Sequence, residues 1–262
     1  MGTYVEIGGL RTWYDEQGSG DPLLLMHGGL VTNDTWGAQL PAFAERYHVY
    51  APERRAHGHT PDVDGALSYD DMANDMIGFL ETVVGGPAHL VGWSDGAIIG
   101  FLIGFRRPDL VRKLVAISGN RNPKAMVPQA EAMAQEMTPD SPDMAMFKAL
   151  YEAATPDGPD HWNVVVPKIV EMFTTQPDIT VEELGRISAP TLVVVGDDDM
   201  VRFDHTAEIF ASIPNAELAI VPGTSHALTL EKPELVNRII LDFLEKDPAP
   251  TLMPFRRAAG AH

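Results

Sequence analysis

Apolar residues fall along this chain in two rhythms. Short unbroken runs alternate with stretches in which apolar residues recur at three- and four-residue steps. The runs "PLLLMHG", "HVYAPE", "AHLVGW", "KLVAIS", "PTLVVVG" and "AELAIVPG" read as strands, each closed by a turn or a polar residue. "TYVEI" and "LRTWYDE", on either side of Gly8 and Gly9, read as a short antiparallel pair. Helices are expected at about residues 36–46, 69–84, 95–107 and 233–245. In the second of these, Met72, Met76, Ile77, Leu80 and Val84 form one apolar face. Strands alternating with helices predict an α/β protein, a mostly parallel sheet flanked by helices.

The rhythm changes after Ser118. Residues 120–185 are rich in Met, Pro and polar side chains, with helical pieces and no clear strand. A structureless loop of this length is implausible in a compact domain, so an inserted helical cap is expected there. The core domain is then residues 1–119 and 186–246. The tail 247–262, "DPAPTLMPFRRAAGAH", is rich in Pro and Ala and is expected to attach loosely or to pack on a neighbour. No internal repeat or low-complexity tract is present.

Composition narrows the function classes. A chain of 262 residues with 45% hydrophobic residues can bury the core of one large α/β domain. No apolar run is long enough for a membrane helix, and the first residues lack the basic-then-apolar order of a secretory signal, so a cytoplasmic protein is expected. The absence of cysteine excludes disulfides, thiolate metal sites and cysteine nucleophiles. With 19 basic against 37 acidic residues, the net charge of −18 disfavours nucleic acid and anionic membranes as partners. A small-molecule substrate is expected, with a monomer or homodimer as the assembly.

Gly92-Trp93-Ser94-Asp95-Gly96 matches G-x-S-x-G between an expected strand and an expected helix. Such a turn lifts Ser94 above the strand end. An anion there meets free N–H groups and the positive end of the helix dipole. A serine nucleophile needs a base. His226, between the last strand and the last helix, lies where a loop reaches back over Ser94. A base needs a carboxylate to orient it. Asp197, Asp198 and Asp199 end the strand "VVVG" and supply candidates. No histidine or further acid lies at ligand spacing in that run, and His205 is expected on the following helix, so no metal and no cofactor are expected.

The order Ser94, Asp, His226 resembles the α/β-hydrolase family over nearly the whole chain. "HGGLVTNDTW" resembles the family's oxyanion loop, and "PERRAHGHT" its D-x-R-G-H-G-x-S turn. In that turn Glu53 replaces Asp, Ala56 replaces the first Gly and Thr60 replaces Ser, while His57 and His59 become turn residues and not metal ligands. The family pattern G-x-x-D-x-[VIF] falls on Gly196, Asp199 and Val201. The resemblance therefore selects Asp199, with Asp198 as rival and Asp197 as a turn residue. It also implies an oxyanion hole built from the backbone N–H of Asp95 and that of Gly29, with Leu30 the alternative to Gly29. His27 is a loop residue in this pattern.

A serine in this position implies an acyl-enzyme from a small carboxylic ester or lactone. Leu30, Trp93, Asp95 and Trp162 are the candidate substrate contacts, and Met126, Met133, Phe147 and Phe173 further candidates from the expected cap. The local string "LVGWSDG" also resembles the valacyclovir hydrolases, which prefer α-amino acid esters; that resemblance implies a preference for amino-bearing esters through Asp95. Two roles for its carboxylate stay open: capping the helix start, or meeting a substrate ammonium. Cofactor-free perhydrolases or haloperoxidases and carbon–carbon bond hydrolases share the same triad. A non-catalytic ligand-binding receptor or scaffold is the reading outside enzymology.

Overall fold

The computed structural model describes residues 2–246 and 251–253. Eight strands form one sheet: β1 (Thr3–Ile7), β2 (Leu10–Gly18), β3 (Asp21–Met26), β4 (Tyr47–Pro52), β5 (Ala88–Trp93), β6 (Val111–Ile117), β7 (Thr191–Gly196) and β8 (Ala216–Val221). Their order is β1-β2-β4-β3-β5-β6-β7-β8. The pairs β1–β2 and β2–β4 are antiparallel, and all others are parallel. This is the α/β-hydrolase fold. The β1–β2 hairpin stands where the Gly8-Gly9 break predicts it.

The central strands are buried on both faces, because successive side chains point to opposite sides of a sheet. Leu23 and Leu25 join a cluster with Trp36, Phe43, Val236 and Ile240. Leu24 and Met26 join one on the other side with Met72, Met76 and Ile99. Helices α1 (Leu40–Ala44) and α10 (Pro233–Glu245) thus cover one face, and α2 (Tyr69–Phe79) and α3 (Asp95–Arg106) the other. The expected helix 69–84 begins at α2, capped by the Ser68 side chain, which accepts from the Asp71 N–H. It continues as a π turn over Leu80–Val84 and stops at Gly85, whose φ of 78° favours glycine.

The expected helix over 36–46 is shorter than predicted. A 3₁₀ turn over Asn33–Trp36 precedes the five-residue α1. Pro41 has no N–H to offer, and its ring would collide with the carbonyl four residues back in a continuous helix. A proline in the first turn starts a helix instead. At the far end of the fold, Lys113 is buried on β6 and donates to the carbonyls of Phe243 and Leu244. A cation on the last carbonyls of α10 complements the helix dipole and ties that helix to the sheet.

Between β6 and β7 the chain runs through α4 (Pro128–Glu136), α5 (Ala145–Ala154), α6 (Trp162–Thr175) and α7 (Val181–Leu184). α6 buries Trp162, Val165, Val166, Ile169 and Met172, one side of an amphipathic helix. Polar contacts also tie this insertion to the turn after β4. Asp62 Oδ2 accepts from Lys168 Nζ at 2.7 Å and lies 2.9 Å from His161 Nε2. Lys168 also donates to the Val63 carbonyl at 2.6 Å. The Asp62 N–H donates to Asp157. α8 (Phe203–Ser212) and α9 (Leu228–Glu231) complete the described helices. Most of the expected tail, residues 247–250 and 254–262, lies outside the described residues.

Candidate active site

The G-x-S-x-G spacing is enforced by close backbone approach. A Cβ on Gly92 would lie 2.1 Å from the Gly96 carbonyl oxygen, and one on Gly96 would lie 1.9 Å from that of Met26. Only glycine lets β5 turn so sharply into α3. Ser94 at the apex has φ 57° and ψ −116°, a conformation L-residues rarely adopt. The surrounding contacts hold it there: the Ser94 N–H donates to Ile117 and its carbonyl accepts from Ala97 and Ile98. The N–H groups of Asp95 and Gly96, which open α3, have no intrahelical carbonyl to bond, the position where a helix start meets an anion.

His226 Nε2 lies 3.0 Å from Ser94 Oγ, and His226 Nδ1 lies 2.8 Å from Asp199 Oδ1. A carboxylate only accepts, so Nδ1 carries the hydrogen and Nε2 is left to accept from the serine. Burial pushes the Asp199 carboxyl up, but hydrogen bonds from His226, Ser118 and the Val201 N–H outweigh it and hold the carboxyl below its ordinary value. Ser118 Oγ donates to Asp199 Oδ2 at 2.5 Å. Asp197 accepts from the Thr224 N–H, a turn contact, and the Asp198 N–H donates to the Thr224 carbonyl. The Trp93 indole donates to the His226 carbonyl at 2.8 Å. Trp93 therefore holds the loop that carries His226.

The turn after β4, with its three departures from the family pattern, is held by its own side chains. Glu53 is fully buried and accepts from the His59 N–H. Thr60 Oγ1 donates to the Glu53 carbonyl and accepts from Trp13. Ala56 sits at φ 63°, which explains the glycine the family has there. His57 is buried, donates from Nδ1 to Arg55, and is held down to about 3, chiefly by burial and then by Arg54. His59 stacks on Trp13. Burial, with the Arg54 charge second, pushes His27 well below its ordinary value, and it donates from Nδ1 to the Gly28 carbonyl. His205 is a buried helix residue whose Nε2 accepts from the Arg121 N–H. Among the described residues, no three histidines or acids are arranged to hold a metal ion.

The Asp95 carboxylate makes no capping bond to its own helix, and its Oδ2 has no hydrogen-bond partner among the described residues. It is buried, and it turns away from the helix start toward two distant residues. Oδ1 accepts from the Tyr69 hydroxyl at 2.9 Å, and Oδ2 lies 3.5 Å from Arg54 Nη2. Burial raises its pKa above the ordinary carboxylate value, with Arg54, Tyr69 and His226 opposing that rise. Oδ2 also lies 2.7 Å from where a Cβ on Gly29 would stand, and the Phe173 ring lies 2.4 Å from the same point. Leu30 and Trp162 line a water-sized cavity of about 10 Å³ with His57 and Tyr151. Trp162 is almost fully buried and donates to the Pro139 carbonyl. Met133, a candidate substrate contact or cap-packing residue, is 58% exposed on α4, a helix with no buried residue. Met126 and Phe147 are half-buried, Met126 bridging to Val201 and Phe147 packing against both core clusters.

Residues 23–239 match the model of the Alpha/beta hydrolase family. The chain belongs to this family. It is 26% identical to the (E)-2-((N-methylformamido)methylene)succinate hydrolase of Acinetobacter baylyi, over 90% of this chain and 94% of that one. It is 27% identical to the human serine hydrolase BPHL, over 92% and 85%. Among solved structures, the enol-lactonase from Burkholderia xenovorans superimposes with a TM-score of 0.75, at 18% identity, over 93% of this chain and all of that one. The protein is an α/β-hydrolase enzyme, and no described helix is long and apolar enough to cross a membrane.

Ser118, Arg54 and Tyr69 are not singled out by the α/β-hydrolase motifs, although Arg54 fills a variable position of the turn after β4. Ser118, at the C-terminal end of β6, carried a usable signal, because that end of a parallel sheet faces the site in open α/β folds. Arg54 and Tyr69 carried none. Arg54 reads as one basic residue of a turn, and Tyr69 as the first residue of an amphipathic helix.

Proposed function

We propose that the protein cleaves a small carboxylic ester or lactone through an acyl-enzyme. One observation carries this reading: the unbroken hydrogen-bond chain from Ser94 Oγ through His226 to an ionised Asp199. Ser94 attacks the carbonyl while His226 Nε2 takes its proton, and Asp199 stabilises the imidazolium that forms. The negative charge on the tetrahedral oxygen is met by the backbone N–H groups of Gly29 and Asp95. His226 returns the proton to the leaving oxygen. It then activates water, which releases the acid and restores Ser94.

In this reading residues 120–185 act as a cap over a core of residues 1–119 and 186–246. The Phe173 ring beside Gly29, with Leu30 and Trp162 lining one small cavity, shapes an apolar acyl site. The Asp95 carboxylate is already faced by Arg54 and Tyr69, so we assign it no ammonium partner, and amino-bearing esters gain no preference through it.

The test is labelling by a fluorophosphonate probe together with a panel of p-nitrophenyl esters, amino acid esters and lactones. Wild type should label and turn over members of the panel, and Ser94→Ala should do neither. A folded wild type that does not label would sink the hydrolase reading. Labelling with turnover only of a vinylogous 1,5-diketone, or only peroxide-dependent halogenation, would move the chemistry to carbon–carbon hydrolysis or perhydrolysis.

A further inference from the structure

The two N–H donors assigned to the oxyanion hole belong to separate pieces of chain. Gly29 lies in the loop after β3, and Asp95 opens α3. Nothing covalent near the site fixes one against the other. Arg54 lies where it can. It is fully buried behind the loop. Nη1 donates to the His27 carbonyl, and Nη2 donates to the Gly28 carbonyl at 2.9 Å. The same Nη2 faces Asp95 Oδ2 at 3.5 Å.

The grip on Gly28 has a direct consequence for Gly29. The Gly28 carbonyl and the Gly29 N–H share one planar trans peptide, so they point in opposite directions. Holding the carbonyl toward Arg54 aims the Gly29 N–H away from it. A buried guanidinium is costly unless another charge balances it. Asp95 is the carboxylate in ion-pair contact with it among the described residues. The Tyr69 hydroxyl, from α2, fixes the other carboxylate oxygen.

We propose that Asp95 is a positioning residue: its carboxylate balances buried Arg54, and the pair locks the Gly29 and Asp95 N–H groups into one oxyanion hole. This rests on the acyl-transfer reading of Ser94. It also accounts for an acid next to an anion-binding site. The side chain brings no net charge, because Arg54 cancels it, while the main chain supplies the donor.

The experiment compares wild type with Asp95→Asn, after thermal melts confirm that the variant folds. Substrates are the methyl esters of phenylalanine and of 3-phenylpropionic acid. Ligands are butylboronic acid, which forms a tetrahedral adduct on the serine, and butyrate, the flat product. Removing one oxyanion donor outright costs about a hundred- to a thousandfold in rate; misaiming one should cost about ten- to a hundredfold. We expect that loss in kcat on both esters alike, with KM within about twofold. The boronic acid should lose affinity by a similar factor, and butyrate should not.

Three results would overturn the proposal. One is a folded Asp95→Asn enzyme with kcat within about twofold of wild type. Another is a loss confined to the phenylalanine ester, which would mean ammonium recognition. The third is an equal loss of boronic acid and butyrate, which would mean a disturbed pocket. If Asp95→Asn does not fold, Tyr69→Phe removes only the bond to Oδ1 and should give the same pattern at severalfold; no such pattern refutes it. Fluorophosphonate labelling separates the two levels: an unlabelled wild type defeats the hydrolase reading, whereas labelling with an indifferent Asp95→Asn defeats the pairing alone.

Discussion

Lys168→Met removes the cation that fastens α6 to the turn after β4. The Asp62 side chain is 5% exposed and that of Lys168 19%, so the pair lies much nearer the buried than the surface limit. Breaking a buried ion pair from one side costs about 3–5 kcal/mol, whereas an exposed pair is worth about 0–1 kcal/mol. His161 remains on Asp62 Oδ2 and the Val63 carbonyl can turn to water, which lowers the cost to about 2–3 kcal/mol. At about 1.4 kcal/mol per tenfold, that favours undocking of the helical insertion by about 30- to 150-fold. Hydrogen exchange should report it, with faster exchange over α6 and little change in β5. KM for an ester should rise more than kcat falls. The same acceleration in β5 and α6, or none in α6, would refute the assignment of this contact as a local latch. The latch also has a defined acid limit. Burial raises the Asp62 carboxyl, but Lys168 and His161 outweigh it, so its folded value lies below the unfolded one. Stability from such a group is complete above the unfolded value of about 3.9 and is lost as pH falls through the folded value. The latch should therefore hold in mild acid and release only below about pH 4.

Gly96→Ala should leave little folded protein, because its Cβ would lie 1.9 Å from a main-chain oxygen on β3, which cannot swing aside; a soluble variant with a wild-type melt would contradict that geometry. Ser118→Ala removes a hydrogen bond to an ionised Asp199 and should cost about 1.5–3 kcal/mol in urea unfolding, with kcat falling and KM steady; an unchanged melt would show that the bond contributes nothing. Acid should weaken the whole fold through buried neutral histidines. His57 is held down to about 3 against about 6.5 unfolded, so its contribution is complete above the unfolded value and declines as pH falls toward 3. At pH 5 this is about 2 kcal/mol from His57 alone, and His89 and His205, each lowered to about 4, act in the same direction. Urea melts at pH 7.5 and pH 5 should differ accordingly, and His57→Asn should reduce the difference.

Sequence alone carried the parts of this protein set by neighbours in the chain. The strand runs are legible because burial on both faces needs unbroken apolar residues, and the elbow because Gly92 and Gly96 must flank Ser94 wherever a strand turns that sharply into a helix. Even there, local chemistry won over periodicity once: Pro41 broke the expected helix over 36–46. The choice of Asp199 among three adjacent acids came from family resemblance, not from spacing. What only the tertiary structure decided is the destination of charged and hydroxyl side chains. Asp95 could cap its own helix or face a substrate as far as local rules go. It does not cap, because folding brings Arg54, from the turn after β4, and Tyr69, from the start of α2, to its carboxylate behind the loop after β3. In water an aspartate has many adequate partners, whereas a buried one settles on the few polar groups within reach, and those are known only when the sheet and its helices have packed.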